Sequence, residues 1–301
     1  MLTKSISSSW PVYVPSGKFS GITYFILAIS AVLVLPALSI IYSFITWYSP
    51  IIYLNLIVAI FTGVALGACI YPIVKYGKVR SYQHEILFIA VLWFFFLWSG
   101  WAVHLTLVTN ITGESATGTS FTLSTYLFYI SHPITLFQDI KILASVGLYE
   151  VFGAPVKGFV AYFVWFLEAA ILFVAAFIFN KKWSVLPFSE VDNAWGVKQK
   201  LNKKLSLHRG IDKFAEALHN QEVQVFEHAP KTSGHNMEYT ELVFFIFPKD
   251  DASYLAFYNM VVETDEKGKK KQKYFRNSDF YYVTPEMRTK LQEVFSGEED
   301  K

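Results

Sequence analysis

The chain has 301 residues, of which 53% are hydrophobic, 18% aromatic and only 17% charged. So few charged groups make a poor surface for a protein covered by water alone. Residues 1–180 carry 7 Lys/Arg and 5 Asp/Glu, whereas residues 181–301 carry 19 of each. The density of charged residues therefore indicates two parts, a charge-poor N-terminal part and a charge-rich C-terminal part. A formal net charge of +2 produces no strong field, so we expect no nucleic-acid partner.

The chain contains few residues that indicate a metal or cofactor. The single cysteine, Cys69, excludes an intramolecular disulfide and a multi-thiolate metal site. Glu227, His228, His235 and Glu238 are metal-capable residue types near a loop, but no helical metal-ligand spacing fixes them on one face. Local motifs of phosphate-binding loops, dinucleotide-binding turns, serine hydrolases, zinc peptidases and kinases do not occur. The sequence therefore indicates no catalytic set, no metal and no cofactor.

The first apolar region lies between Lys18 and Lys75, which are separated by 56 residues without a charged side chain. A bilayer core about 30 Å thick takes roughly 20 helical residues per crossing, so two spans fit. Pro50 and the aromatic residues before it interrupt the apolar run. We predict spans at about 22–47 and 51–74.

Two further charge-poor stretches predict spans at about 86–108 and 158–180, which gives an α-helical membrane domain of four transmembrane helices over residues 1–182. Lys and Arg residues precede the first span, lie between the second and third, and follow the fourth. The positive-inside rule then places both termini in the cytoplasm. We expect an integral protein of a bacterial inner membrane, with the lipid bilayer as its partner.

The segment 110–157 is too long for a bare connection and is predicted to contain one or two amphipathic helices at the outer face. Ser131-His132-Pro133 is typical of a helix start. Apolar residues after it are expected mostly on one side of that helix: Ile134, Phe137, Ile140, Ile142, Leu143, Val146 and Leu148.

Residues 183–301 are predicted to form a small cytoplasmic α+β domain with an antiparallel sheet. Candidate strands rich in β-branched and aromatic residues lie at 222–227, 238–247, 254–264 and 274–283. Asn277 and Ser278 are a candidate interruption of the last one.

The remaining elements of this domain are helices and connections. We predict one helix capped by Ser206 and extending to Leu218, and another capped by Thr284. The segment 184–204 is expected to be a polar connector. The lysines between 267 and 273 are expected at a solvated hairpin tip.

Glu168 is the first candidate for a functional side chain, because a carboxyl near the centre of a span costs several kcal/mol if exposed to lipid. His104, in the outer part of the third span, is the second. Direct contact between them requires tilt, an altered register or a water bridge. Asn55 and Ser99 are the other groups that we expect to be able to satisfy Glu168. These residues either hold the helices together or form a conduction or binding site.

Gly63 and Gly67 give the second span a GxxxG spacing, which permits close approach of another helix. The partner helix belongs either to the same bundle or to a second subunit, so a homo-oligomer is one possibility. Pro36 is a candidate kink in the first span.

Three functional hypotheses follow. The first is a non-enzymatic membrane anchor or sensor that presents residues 183–301 to a cytoplasmic protein partner. The alternative is an oligomeric channel or small transporter that uses Glu168 and His104. The third, an intramembrane enzyme with one of these groups as acid or base, has the least support because no nucleophile or metal set accompanies them.

Overall fold

The computed structural model divides the chain into two compact units, one formed by Gly17–Ser184 and the other by Met1–Ser16 together with Val185–Lys301. The predicted boundary after residue 182 lies close to this division. The prediction differs in one respect, because residues 11–16 belong to the second unit and not to the helical one. The structure describes these ranges: 11–49, 52–112, 121–147, 150–151, 154–180, 183–207, 211–232, 238–264 and 268–295.

Within the described ranges, the helical unit contains four helical segments that are long and apolar enough to cross a membrane, as the sequence predicts. They are built from these helices: α1 Ile22–Ile29 and α2 Leu35–Tyr48 in the first segment, α3 Ile52–Gly77, α4 Tyr82–Thr112, and α7 Phe159–Phe179. The side chains of these helices are mostly Leu, Ile, Val, Phe and Ala, and helical geometry satisfies the backbone within each segment, as an apolar medium requires. The predicted spans at 22–47, 51–74, 86–108 and 158–180 match them within a few residues, although the third helix begins earlier.

A π-helical segment, Ser30–Val34, separates α1 from α2. Pro36 follows it directly within the first turn of α2. Proline has no backbone N–H and its ring clashes with the preceding turn, and a π-turn is one way in which a helix accommodates such a change. The expected irregularity at Pro36 is therefore a widened turn of the helix.

Two helices occupy the connection predicted at the outer face, α5 Leu123–Ser131 and α6 Pro133–Val146. They meet at His132, as the predicted helix start requires. The Tyr129 hydroxyl donates a hydrogen bond of 2.9 Å to Asp139 Oδ2 and so joins the two helices. Burial, with the nearby Asp139 carboxylate, raises the pKa of Tyr129 to about 12, which keeps this donor protonated.

The predicted apolar side of α6 is wrong in part. The residues that α6 buries are Leu136, Ile140 and Ala144, which recur every four residues. Of the predicted set, only Ile140 is fully buried and Leu143 is half-buried, while four others are exposed: Ile134, Phe137, Ile142 and Val146. Leu148 lies outside the described residues. The apolar residues of α6 thus divide between an inner and an outer side, which a count of apolar positions does not separate.

Helix α3 packs against α7 through its two glycines. A Cβ atom on Gly63 would lie 2.6 Å from both the Leu172 carbonyl oxygen and Ala175 Cβ, and one on Gly67 would lie 2.7 Å from the Ala176 carbonyl oxygen. These distances are shorter than any real Cβ contact, so only glycine permits this approach of the two backbones. The close contact at the GxxxG spacing is therefore made within one chain.

The second unit is built on a seven-stranded antiparallel sheet with the order β10-β9-β8-β6-β7, in which β5 also pairs with β8 and β11 with β9. The strands of this sheet are β5 Val197–Lys200, β6 Lys204–Ser206, β7 Lys231–Thr232, β8 Tyr239–Ile246, β9 Ser253–Thr264, β10 Lys270–Arg276 and β11 Tyr281–Val283. Smaller two-stranded ladders are formed by β1 Glu150–Val151 with β2 Ala154–Pro155, and by β3 Phe188–Ser189 with β4 Ala194–Trp195.

Both faces of the sheet are covered, at least in part. One face packs against three helices, α8 Asp212–His219, α9 Gln224–Glu227 and α10 Pro285–Phe295, around a core that includes Leu242, Phe257 and Leu291. The opposite face carries a smaller cluster that includes Val243, Phe245 and Phe280. The predicted α+β class with an antiparallel sheet is confirmed.

Several predicted elements of this unit are wrong. Residues 222–227 are not a strand, because 224–227 form α9, which brings Phe226 onto Phe214 with ring centroids 5.2 Å apart. Ser206 does not cap a helix but ends β6, and α8 begins only at Asp212. In both cases contacts with distant parts of the chain override the local pattern.

The connector and the last strand also differ from prediction. The segment 184–204 contains β3, β4 and β5. The strand predicted at 274–283 is two strands, β10 and β11, interrupted around Asn277 and Ser278 as expected. Because β10 begins at Lys270, the lysines from 270 to 273 lie within the strand and not at a hairpin tip.

We expect Gly63→Ala to lower the stability of the helical unit by about 1–3 kcal/mol, because the added methyl group overlaps the α7 backbone. Gly100→Ala is a matched control, since Gly100 also lies inside a helix and a Cβ there meets no atom within 4 Å. Thermal unfolding of both variants in one detergent measures the difference. Equal stability of the two variants contradicts the packing of α3 on α7.

Candidate functional site

Polar side chains of the first helical segment turn into the helical unit. Helix α2 buries Ser39, Tyr42 and Ser43, which are spaced three and one residues apart and so share one side of the helix. Ile41 and Ile45 on other sides are exposed. This pattern, with hydroxyls inside and apolar side chains outside, is the reverse of a water-soluble helix.

Glu168 lies on α7 and accepts a hydrogen bond from the Tyr42 hydroxyl on α2. The Tyr42 ring packs edge to face against Phe96 of α4, with centroids 5.5 Å apart. Next to Glu168, the Trp93 indole donates to the Ala169 carbonyl oxygen at 2.9 Å. The carboxyl group is thus held by a phenol, and three helices meet around it.

Ser99 on α4 joins two other helices. Its hydroxyl lies 2.6 Å from the Ser39 hydroxyl and 2.8 Å from the Tyr126 hydroxyl of α5, both within hydrogen-bond distance. Ser43 donates to the Gly100 carbonyl oxygen at 3.3 Å. These contacts and the Tyr42–Glu168 bond form what we name the polar cluster of the helical unit, composed of Ser39, Tyr42, Ser43, Ser99, Tyr126 and Glu168.

His104 does not belong to the polar cluster. Its ring lies 5.1 Å from the ring of Trp47 and 5.8 Å from that of Trp101, in edge-to-face contact with both. Its Nε2 atom is buried and has no hydrogen-bond partner among the described residues. Within the described part of the chain, Glu168 and His104 are therefore held by different groups, a phenol and two indoles.

Asn55 is not brought to Glu168 either. Its Oδ1 atom is buried without a hydrogen-bond partner in the described part of the chain. Of the four polar residues that the sequence predicts as candidates, the polar cluster contains Glu168 and Ser99, whereas Asn55 and His104 lie elsewhere.

Sequence reasoning missed Glu85, which is fully buried in the helical unit. Its Oε2 atom accepts hydrogen bonds from the Ser184 hydroxyl and, at 3.3 Å, from the Ser184 backbone N–H. Glu85 stands just before the predicted third span at 86–108, where an acidic residue is unremarkable by sequence. Its burial depends on the return of the chain at Ser184, 99 residues later, which no local pattern indicates.

The polar cluster has the chemistry of helix-to-helix contact. Each hydroxyl in it has another polar group or a backbone carbonyl within hydrogen-bond distance, and such mutual contacts commonly hold apolar helices together. In the described ranges, no group of three or more His, Cys, Asp and Glu side chains is placed to hold a metal ion. His235, one of the metal-capable residues noted in the sequence, lies outside those ranges.

The second unit also contains hydrogen-bonded polar side chains, which lie on the sheet face opposite the helices. Glu241 is 5% exposed, and its two oxygens lie 3.2 and 3.0 Å from Lys200 Nζ. The Tyr274 hydroxyl donates to Glu241 Oε2. Burial and the hydrogen bond to Glu241 raise the pKa of Tyr274, so the phenol stays protonated as a donor.

Comparison of the chain with protein-family models, with curated proteins and with solved structures finds no match.

We expect Tyr42→Phe to lower the free energy of unfolding by about 1–3 kcal/mol, because it leaves the Glu168 carboxyl without the hydroxyl that bonds it. Tyr24→Phe is the control, since Tyr24 lies in the same apolar segment and is 63% exposed. Glu168→Gln keeps an acceptor oxygen and should cost less than Tyr42→Phe. Thermal unfolding in detergent measures all three, and equal effects of Tyr42→Phe and Tyr24→Phe would show that the bond contributes nothing.

Proposed function

We propose that the protein is a non-enzymatic membrane anchor or sensor, in which four transmembrane helices carry a cytoplasmic α+β domain that interacts with a partner. The observation that carries this proposal is the surface of the helical segments. Large apolar side chains point outward, with Phe61, Phe159 and Ile178 each more than 70% exposed, while the polar cluster points inward. Lipid is the solvent that such a surface requires.

In the second unit, the segment before the first helix pairs with the sheet formed after the fourth, which supports an even number of membrane crossings between them. Tyr13 donates its backbone N–H to the Phe280 carbonyl oxygen at 2.8 Å, and Tyr282 donates to the Pro11 carbonyl oxygen at 2.9 Å. These bonds support a topology in which residues before the first span and residues after the fourth lie on the same side of a membrane. The positions of Lys and Arg around the spans favour the cytoplasmic side, in a bacterial inner membrane.

The hydrogen bonds of the polar cluster support the anchor over a conducting protein. A carboxyl that already has a phenol donor, between closely packed helices, has the role of a structural contact. The proposed cytoplasmic unit is suited to bind a partner, because it has its own hydrophobic core and exposes most of its described charged side chains. We propose that this unit is the part that meets other molecules.

Single-cysteine labelling tests the topology. In a Cys69→Ser background, Lys290→Cys, at an exposed position of α10, should react with a membrane-impermeant maleimide only after the cells are permeabilised. Lys141→Cys, at an exposed position of α6, should react in intact cells, and Cys69→Ser alone should not react. Labelling of Lys290→Cys in intact cells contradicts the proposed topology.

Full cellular function of a chain that ends at Ser184 contradicts the proposed role of the cytoplasmic unit.

A second candidate function is an oligomeric channel or small transporter that uses Glu168 and His104. The buried Nε2 atom of His104, which has no hydrogen-bond partner within the described ranges, favours it, because intramembrane ionisable groups commonly mark transport pathways. In vesicles with a demonstrated flux, Glu168→Gln should abolish transport under this hypothesis, and Lys141→Gln on exposed α6 should not. Unchanged flux in Glu168→Gln removes this candidate.

A further inference from the structure

The sheet face opposite the helices carries a row of basic side chains. Lys198 and Lys200 stand opposite Phe245 and Val243 in the β5–β8 register, so they share the face of those two core residues. Arg276 stands opposite Tyr258 on the same side. Lys204 and Lys270 follow by the alternation of β6 and β10. We name this surface the basic face and define it by Lys198, Lys200, Lys204, Lys270 and Arg276.

Among the described residues of the strands, the acidic side chain within this surface is that of Glu241, and its charge is largely neutralised. Glu241 is buried beneath Lys200 and Tyr274, so its charge is compensated at close range. At the end of the sheet next to Lys198, Asp192 Oδ2 accepts a hydrogen bond from the Lys249 backbone N–H and Asp250 Oδ2 accepts one from the Ser189 hydroxyl. The exposed charge in the middle of the face is therefore positive, and it projects from several neighbouring strands.

The tyrosine rings of this face are already in contact with other groups. Tyr258 and Tyr274 stack on each other with centroids 5.2 Å apart and an interplanar angle of 14°. Lys200 Nζ lies over the Tyr274 ring and Lys204 Nζ over the Tyr239 ring, at 5.2 and 4.7 Å. Because the faces of these rings contact one another and the lysine side chains, the groups that a ligand of this surface meets are ammonium groups and not ring planes. Such a surface favours an array of anionic groups over the bases of a nucleic acid.

Both connections to the spans leave this unit from the same face. Tyr13 and Leu186 pack against the cluster of Val243, Phe245 and Phe280. Tyr13 precedes α1 by nine residues and Leu186 follows α7 by seven. Extended chains of these lengths reach at most about 30 and 25 Å. In a membrane-anchored chain, two such short tethers keep the unit within reach of the bilayer surface and raise the effective concentration of lipid headgroups around it.

We propose that the basic face binds the anionic phospholipid headgroups of the membrane to which the protein is anchored. This inference rests on the proposed function, which places the unit beside the negatively charged cytoplasmic leaflet. Each Lys or Arg near such a surface strengthens binding by about fivefold. Glu241 offsets the charge of Lys200, so the other four basic side chains of the face supply the attraction that docks a tethered domain. The cytoplasmic unit then has a docked and a released state, and ionic strength and lipid charge set the balance between them.

Lysine reactivity in nanodiscs tests the proposal with the full chain. The protein is reconstituted in phosphatidylcholine alone or in a mixture with phosphatidylserine, and acetylation rates of individual lysines are measured by mass spectrometry. We expect Lys198, Lys204 and Lys270 to react several-fold more slowly with phosphatidylserine present, because each is shielded by headgroups. High salt should remove the difference by screening. Lys213 and Lys290, exposed on the helices of the other face, should react equally in both lipids.

Charge reversal supplies the matched variants. Lys198→Glu with Lys204→Glu should abolish the protection of Lys270, whereas Lys213→Glu with Lys290→Glu should leave it intact. If the first pair unfolds, as judged by thermal unfolding, Lys198→Gln with Lys204→Gln takes its place. Equal Lys270 rates in the two lipids at low salt, or protection that needs an added protein or RNA, overturns the proposal. Both leaflets of a nanodisc have the same composition, so this result does not depend on the cellular topology, which maleimide labelling tests separately.

Discussion

A carboxyl among apolar helices is stable only where another polar group satisfies it, and the Tyr42 hydroxyl does so for Glu168. This requirement orders much of the helical unit. It sets the rotation of α2 about its axis, since the side that bears Tyr42 also bears Ser39 and Ser43. Those hydroxyls then meet Ser99 and the Gly100 carbonyl oxygen of α4. The opposite sides of the same helices remain apolar and point outward.

The glycines of α3 complement these polar contacts. Hydrogen bonds fix which sides of α2, α4 and α7 face each other, while Gly63 and Gly67 fix how closely α3 and α7 approach. If these helices lie in a membrane as proposed, the hydrophobic effect contributes little to their association, so close packing and hydrogen bonds supply the specificity. The helical unit uses both, on different pairs of helices.

The parts of the fold that sequence predicts are those with strong local patterns. The four long helices follow from uninterrupted apolar runs, and β8 and β9 from β-branched and aromatic residues. Short strands such as β5 and β6 are not predictable, because polar residues like Lys198 and Lys200 become a strand only by pairing with β8, more than forty residues later. For the candidate site, Glu168 stands out because a charge in a span is rare. Its partner Tyr42 does not stand out, because a hydroxyl in an apolar run is common. The register between two helices also cannot be read from the sequence of either helix.

The bridge between Val12 and Tyr281 joins two segments separated by nearly the whole chain. A ribosome adds about 5–20 residues per second, so the first segment waits roughly 10–60 s before its partner strand is synthesised. All four apolar helices emerge during that interval. The segment around Val12 is therefore able to join the sheet unit only after all four helices have been synthesised.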